Sequence, residues 1–257
     1  MSGHNKWSSI KHKKGAADAK RGAIFSRVSK EIIQAARDGG GDPDLNARLR
    51  TAIAAAKAAN MPNDNIDRAI KKGTGALGGA AIEEFTYEGI AAGGVSVIVN
   101  CMSDNKNRTA ADIRSFFNRH NCKMSGSGAV SYKFKRKARF AIEGEWADED
   151  KLMELFMESD ADVDDIQVDD GTAEIIAPPD AFNKVVAVFE SKGIVPTESS
   201  IAMIPDTTTM VTDLGTAKSV QKFLDVLEEY DDCQAVYNDM ELSDEVAEQL
   251  AAAEDEE

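Results

Sequence analysis

Between residues 17 and 73 the apolar positions recur at helical spacing; beyond residue 80 they shift to strand-like runs interleaved with further helices. Placed at about 100° per residue, Ile24, Val28, Ile32 and Ala35 fall on one stripe, which predicts a helix over residues 17–37 that buries this side. On the same wheel Lys20, Arg27, Lys30 and Arg37 share a separate sector that no acid of the helix enters, with Glu31 at its border. That sector is expected to face water. Gly39-Gly40-Gly41 ends the helix, and Asp42-Pro43 restarts one with a cap and an N1 proline. Leu45, Leu49, Ala52, Ile53 and Ala56 give the second helix a narrow, small-residue face. Asn60-Met61-Pro62 breaks the chain again. A short third helix then places Asp64 and Asp67 in its first turn and Lys71 and Lys72 in its last, as the helix dipole favours.

Gly73 to Gly79 reads as a flexible linker. It fits G-x-G-x-x-G, but it follows a helix and precedes a strand, the reverse of a dinucleotide fingerprint. Beyond it Phe85–Tyr87 and Val95–Val99 are strand-like about a Gly93-Gly94 turn. A helix follows over 107–118 with Ile113, Phe116 and Phe117 inward, then a strand from Ala129 to Phe134. Residues 138–204 give strand, helix, strand, an Asp170-Gly171 turn, strand, helix and a strand from Ile194 to Ile204. This is the β-α-β-β-α-β order of a ferredoxin-like unit. A helix at 220–227 and a strand at 235–237 cannot stand alone, but they can complete the ββαβ run begun at residue 84.

The fold class expected is therefore α+β. An N-terminal three-helix domain (1–75, its first 15 residues an arm) precedes two ferredoxin-like domains. One is discontinuous (80–136 plus 205–242); the other (137–204) is inserted in it. Residues 243–257 read as an acidic tail.

Charge sharpens this division. The chain carries 30 Lys and Arg against 45 Asp and Glu, a net of −15. Residues 1–75 hold 15 basic and 7 acidic side chains; the remainder holds 15 and 38. A basic module on an acidic body suggests a polyanion partner for the first segment. No apolar run approaches the ~18 residues of a membrane span, and the basic N-terminus has no apolar stretch behind it, so a cytoplasmic protein with no membrane partner is expected. Cys101, Cys122 and Cys233 are odd in number and far apart, as reduced thiols would be. His4, His12 and His120 share no ligand spacing, so no metal or cofactor is expected. Asp160-x-Asp162-x-Asp164 starts like a calcium loop but has Asp165 and Gly171 where Gly and Glu are needed. No phosphate-binding loop or nucleophile elbow occurs, and no catalytic role is expected.

Two constellations remain. One is the basic arm and helical sector: Lys6, Lys11, His12, Lys13, Lys14, Lys20, Arg21, Arg27, Lys30 and Arg37, with Trp7 among them. Such cations give sequence-independent phosphate affinity. Trp7 either stacks on a base or anchors the arm to the domain surface. The other is the polar loop Asp104–Thr109, where Asn105, Lys106, Asn107 and Arg108 leave a strand and enter a helix. Asn105 or Asn107 would cap that helix; strand-to-helix loops are also where binding residues gather, here for a protein or RNA segment as second partner.

At these residues the chain resembles the YebC/PmpR family. G-H-N-K-W-S-S-I-K-H-K-K-G-A-A-D-A-K-R-G, G-G-G-D-P-D-L-N-A-R-L-R, M-P-N-D-N-I-D-R-A-I-K-K-G, Y-E-G and D-N-K-N-R-T carry the resemblance, which spans essentially the whole chain. It implies a helical domain plus two α/β domains, the last inserted in the middle one, and a DNA-binding transcriptional regulator. A mitochondrial relative activates translation and bacterial relatives are linked to the ribosome, so structured RNA is the alternative partner. The family brings no established catalytic residues. Where relatives often have a proline before the glycines, this chain has Gly89-Ile90-Ala91-Ala92-Gly93.

A helix-turn-helix would make residues 62–72 the recognition helix. Its leading end, which should meet the bases, carries Asp64 and Asp67, so backbone and shape recognition is expected instead.

Overall fold

The structure is a computed structural model that describes residues 17–78, 81–169 and 171–254, with side chains from residue 22. Three helices open it: α1 (Ala17–Gly39), α2 (Ala47–Ala58) and α3 (Asn63–Gly73). They bury Ile32, Ala35, Ala36, Leu49, Ala52, Ala56, Met61, Ile66 and Ala69 against one another. Small residues on α2 let the helices approach closely, which is why its apolar face can be so narrow.

The start of α2 differs from expectation. Asn46, not Asp42, is the N-cap: its Oδ1 accepts from Leu49 N at 3.0 Å, while Nδ2 donates to Ala35 O at 2.7 Å and Gly40 O at 2.8 Å. One buried amide thus closes the end of α1 and the beginning of α2. Leu45 falls outside the helix and is 85% exposed. Gly73 is no loose tether either. A Cβ there would collide with the Ile33 carbonyl oxygen and lie 2.8 Å from Ala36 Cβ, so glycine is what lets α3 close on α1.

The first sheet follows. β1 (Glu83–Ile90) pairs antiparallel with β2 (Ser96–Ser103), with Tyr87 opposite Val99 and Gly89 opposite Val97. α4 (Lys106–Arg119) leads to β3 (Lys123–Ser125), antiparallel to β1 on its other side. Late in the chain α7 (Leu214–Glu229) and β9 (Cys233–Asn238) return, giving the order β3-β1-β2-β9. Elements reach this sheet as β-β-α-β and then α-β. Phe117 of α4 meets Phe223 of α7 edge-on, ring centroids 4.9 Å apart, and both are fully buried.

Ala129–Phe134 is not the strand its alternation suggested. Ser131–Lys133 forms a 3₁₀ turn, and the edge strand lies earlier, at β3. Phe134 instead begins β4 (Phe134–Glu143). After it come α5 (Glu149–Met157), β5 (Asp165–Asp169), β6 (Thr172–Ala177), α6 (Phe182–Ser191) and β7 (Glu198–Pro205). β7 starts four residues later than expected. The sheet order is β5-β6-β4-β7, every pair antiparallel. Its core is built on Phe140, Leu152, Ile175, Val185 and Phe189. Asp160 pairs with Lys184 at 3.0 Å and Asp164 with Lys137 at 2.8 Å, so two acids of the calcium-like run have cations beside them. β8 (Thr209–Val211) and β10 (Met240–Leu242), both too short to show a period, form a parallel pair. The expected acidic tail is largely helix α8 (Asp244–Glu254), with Val246, Ala247 and Leu250 buried.

The architecture is α+β: three helices, then two antiparallel α/β sheets. Among the described residues, 17–129 with 218–236 form one compact unit, and 130–217 with 237–254 the other.

Candidate nucleic-acid interface

Lys6, Trp7, Lys11, His12, Lys13 and Lys14 lie outside the described residues. Lys20 and Arg21 stand in the first turn of α1, their side chains likewise undescribed. The rest of the basic sector does not simply face water. The Arg27 guanidinium donates to the Glu228 carbonyl. Lys30 Nζ donates at 2.7 Å to both Asp231 O and the Asp232 carboxylate. Arg37 Nη1 donates to Ile82 O at 2.9 Å. These three cations hold α1 to the α7–β9 corner and to the entry of β1. The helical wheel separated them correctly from the apolar stripe. It could not distinguish a solvated face from one docked on carbonyls.

Asp232 is where the two candidate constellations meet. It is 5% exposed, at the turn between α7 and β9. Oδ1 takes Lys30 from one side. Oδ2 accepts from Arg108 Nη2 at 2.8 Å, Thr109 Oγ1 at 2.8 Å, Ser103 Oγ at 2.9 Å and Tyr230 OH at 3.1 Å. Backbone pairing fixes the position, since Met102 N donates to Asp232 O at 2.8 Å. Burial alone would push this carboxyl up. The bonds from Arg108, Lys30, Thr109 and Ser103 overcome it and hold Asp232 well below the usual carboxylate range. The same corner shifts its neighbour: burial and the bond to Asp112 keep the Tyr230 hydroxyl protonated well above its ordinary pKa.

The loop residues therefore divide. Asn105 is the N-cap of α4, its side chain accepting from Arg108 N at 3.1 Å. Arg108 spends its guanidinium on Asp232, Ser103 and, at 3.4 Å, Asp104. Lys106 Nζ lies 5.4 Å from the centre of the Phe85 ring, and Asn107 is exposed. Sequence reasoning missed Asp232, Tyr230 and Ser103. No spacing along the chain ties residue 232 to residues 30 or 108; only the neighbouring of β2 and β9 does.

Cys101 and Cys233 are buried free thiols on those two strands. Their mutual hydrogen bond and burial raise the Cys101 pKa, keeping the thiol protonated. No group of three metal-ligating side chains occurs among the described residues, and no helix of the described residues is long and apolar enough to cross a membrane.

Two family descriptions match: "TACO1/YebC protein N-terminal domain" over residues 5–76 and "TACO1/YebC second and third domain" over 82–240. A "Probable transcriptional regulatory protein" of Syntrophus aciditrophicus is 49% identical over 253 residues, covering 98% of this chain and all of that one. One from Treponema pallidum is 49% identical over 96% of this chain and 99% of its own. The crystal structure of the conserved hypothetical protein Aq1575 from Aquifex aeolicus superposes with a TM-score of 0.83 at 42% identity, over 93% of this chain and 97% of that one.

Proposed function

The chain belongs to the TACO1/YebC family, and on that premise we propose that it is a non-catalytic regulator of gene expression that binds DNA through its basic N-terminal segment. Regulation of transcription is the role its relatives' names carry. The observation that supports a polyanion partner is the charge division: 15 basic against 7 acidic residues up to residue 75, and 15 against 38 beyond it. Within that segment Lys6, Trp7, Lys11, His12, Lys13, Lys14, Lys20 and Arg21 are the contact residues in this reading. Arg27, Lys30 and Arg37 serve in this reading to orient α1, since each has a donor bonded within the protein. A three-domain division, with ferredoxin-like units at 80–136 plus 205–242 and at 137–204, belongs to the same reading. The β5-β6-β4-β7 order supports it for the inserted unit.

Recognition runs through phosphates and shape rather than base edges. The leading turn of α3 exposes Asp64, and Asp67 stands exposed a turn on; a phosphate-lined groove repels both. This observation also favours structured RNA as the second reading, which would make the protein a translation factor, because backbone chemistry is common to both polymers. Titrating the full chain with duplex DNA and duplex RNA at several salt concentrations tests this. If about 5 phosphates are neutralised, log affinity for DNA falls against log salt with a slope on the order of −4.5. Replacing Lys6, Lys11, Lys13 and Lys14 together by Ala should flatten it. A preference of ~10³-fold for one DNA sequence at fixed salt would overturn the backbone-recognition reading.

A further inference from the structure

Within the acidic half of the chain, α4 turns a basic face outward. Inward positions of α4 are taken by Thr109, Ile113 and Phe117, all fully buried. Its outward arc carries Arg114, Asn118 and Arg119, all exposed. The one acid within the helix is Asp112, at the margin, where its carboxylate accepts the Tyr230 hydroxyl at 2.8 Å. Beside α4 lies α7, whose exposed Lys218 and Lys222 stand a turn apart. Contacts between the helices bring the two sets of cations together. His120 packs on Phe223, ring centroids 5.5 Å apart, which places the end of α4 against the Lys222 turn. His120 reports the result: burial lowers its pKa, and the positive charges of Lys222 and Arg119 lower it further.

Among the described residues, no carboxylate comes within 4.0 Å of the charged nitrogens of Arg114, Arg119, Lys218 or Lys222. On α7 the stripe of Lys218 and Lys222 runs on into Asp225 and Glu229, so the basic part of this face is the outer arc of α4 with the part of α7 that carries these two lysines. Four cations with no carboxylate partner among the described residues, and the Asn118 amide beside them, suit a row of phosphodiesters.

We propose that the outer face of α4, with Arg114, Asn118 and Arg119, together with Lys218 and Lys222 of α7, is a second phosphate-backbone contact for the nucleic acid that the N-terminal segment engages. This rests on the nucleic-acid reading above and extends it, because that reading gave the α/β body no nucleic-acid contact outside the loop 104–109. The footprint is then bipartite, with the arm and the α4 face each holding separate phosphates.

The test compares the full-length wild type with a variant carrying Arg114→Glu, Arg119→Glu and Lys222→Glu, using one arbitrary sequence as duplex DNA and as duplex RNA. All three side chains are exposed, and a charge-conserving variant (Arg114→Lys, Arg119→Lys, Lys222→Arg) controls for folding. The expected result is at least a tenfold loss of affinity at fixed salt. The salt slope on DNA should become shallower by about 2.7, three phosphates at about 0.9 each, and the charge-conserving variant should bind as wild type does. Loss on the DNA or the RNA probe alone identifies which polymer the face takes. If the reversal variant keeps wild-type affinity and slope while Lys11→Ala with Lys13→Ala loses them, the α4 face is refuted and the N-terminal interface stands. If wild type binds neither probe, both readings fall. Loss of binding in the charge-conserving variant would also refute the proposal, because it would assign the effect to packing.

Discussion

Lys30 and Asp232 are 202 residues apart in the chain and 2.7 Å apart in the folded protein. Around this pair the first helix, the loop into α4 and the end of α7 are locked by a single carboxylate. Replacing Asp232 with Ala leaves Lys30 without a counter-charge, Arg108 with only the longer pairing to Asp104, and the Ser103 hydroxyl without its acceptor, while Thr109 and Tyr230 keep one acceptor each. The expected loss is about 3 kcal/mol, the low end for breaking a buried charge pair, because the Arg108 side chain is 49% exposed and can be rehydrated. Asp232→Asn should cost less, since its amide oxygen still accepts. Urea denaturation followed by circular dichroism measures both; equal stability of all three proteins would contradict the lock.

The same carboxylate sets an acid limit. In an unfolded chain an aspartate titrates near about 3.9, whereas folded Asp232 is held below the usual range. The unfolded state therefore binds the extra proton first as pH falls. The stability that Asp232 contributes is complete above about pH 5 and is lost on descending through about pH 4 toward the folded value. Asp232→Asn has no such group. The stability gap between wild type and this variant should narrow steadily below about pH 4.5, as read from urea midpoints across a pH series.

How much of this was legible beforehand depended on distance along the chain. The three helices, the glycine breaks and the β-α-β-β-α-β run from residue 138 follow from local periodicity, and they are present. Ile32 and Ala35 on the apolar stripe are fully buried, while Ile24 near its open end is 42% exposed. Misreadings arose where a local pattern had a second solution. Asp42-Pro43 looks like a helix start, but Asn46 can satisfy three backbone groups at once and takes the cap instead. Residues 129–134 alternate like a strand, yet their backbone turns at Ser131–Lys133. The basic sector was found, but its docking was not, because Glu228, Asp231 and Asp232 reach it only through tertiary folding.

The loop into α4 now has a defined cost of substitution. Asn105→Ala removes the cap of α4 and should destabilise by about 1 kcal/mol; Asn105→Ser or Asn105→Asp should restore most of it. Adding Arg108→Ala also frees Asp232 from its guanidinium partner, so the double variant should lose stability beyond the cap alone. Thermal unfolding of wild type and the four variants checks the order. A double variant as stable as wild type would return this loop to a purely exposed, partner-binding role.

Gly89 is a packing requirement within Tyr87-Glu88-Gly89. A Cβ at this position would collide with the Phe117 ring and lie 2.6 Å from the Lys123 carbonyl. Phe117 is fully buried against Phe223 and cannot retreat without opening the helix layer. Gly89→Ala should therefore cost about 1–3 kcal/mol as an overpacked core does, whereas Gly126→Ala, with open space around it, should leave stability close to wild type. Chemical denaturation of both variants decides the matter.

One compact unit is assembled from residues before 130 and residues after 217, and this dictates an order of events while the chain is being made. At synthesis rates of about 5–20 residues per second, Lys30 waits roughly 10–40 s for Asp232. During that interval α1 has neither its anchor at the Glu228 carbonyl nor the one at residue 232, and β2 lacks the neighbour that β9 supplies on its outer side. The stretch from β4 to β7, which closes its own sheet, can fold first. Arg27 and Lys30 thus lack these partners on every nascent chain and hold them on every finished one, so an unfinished copy offers polyanions more accessible positive charge than the protein it becomes.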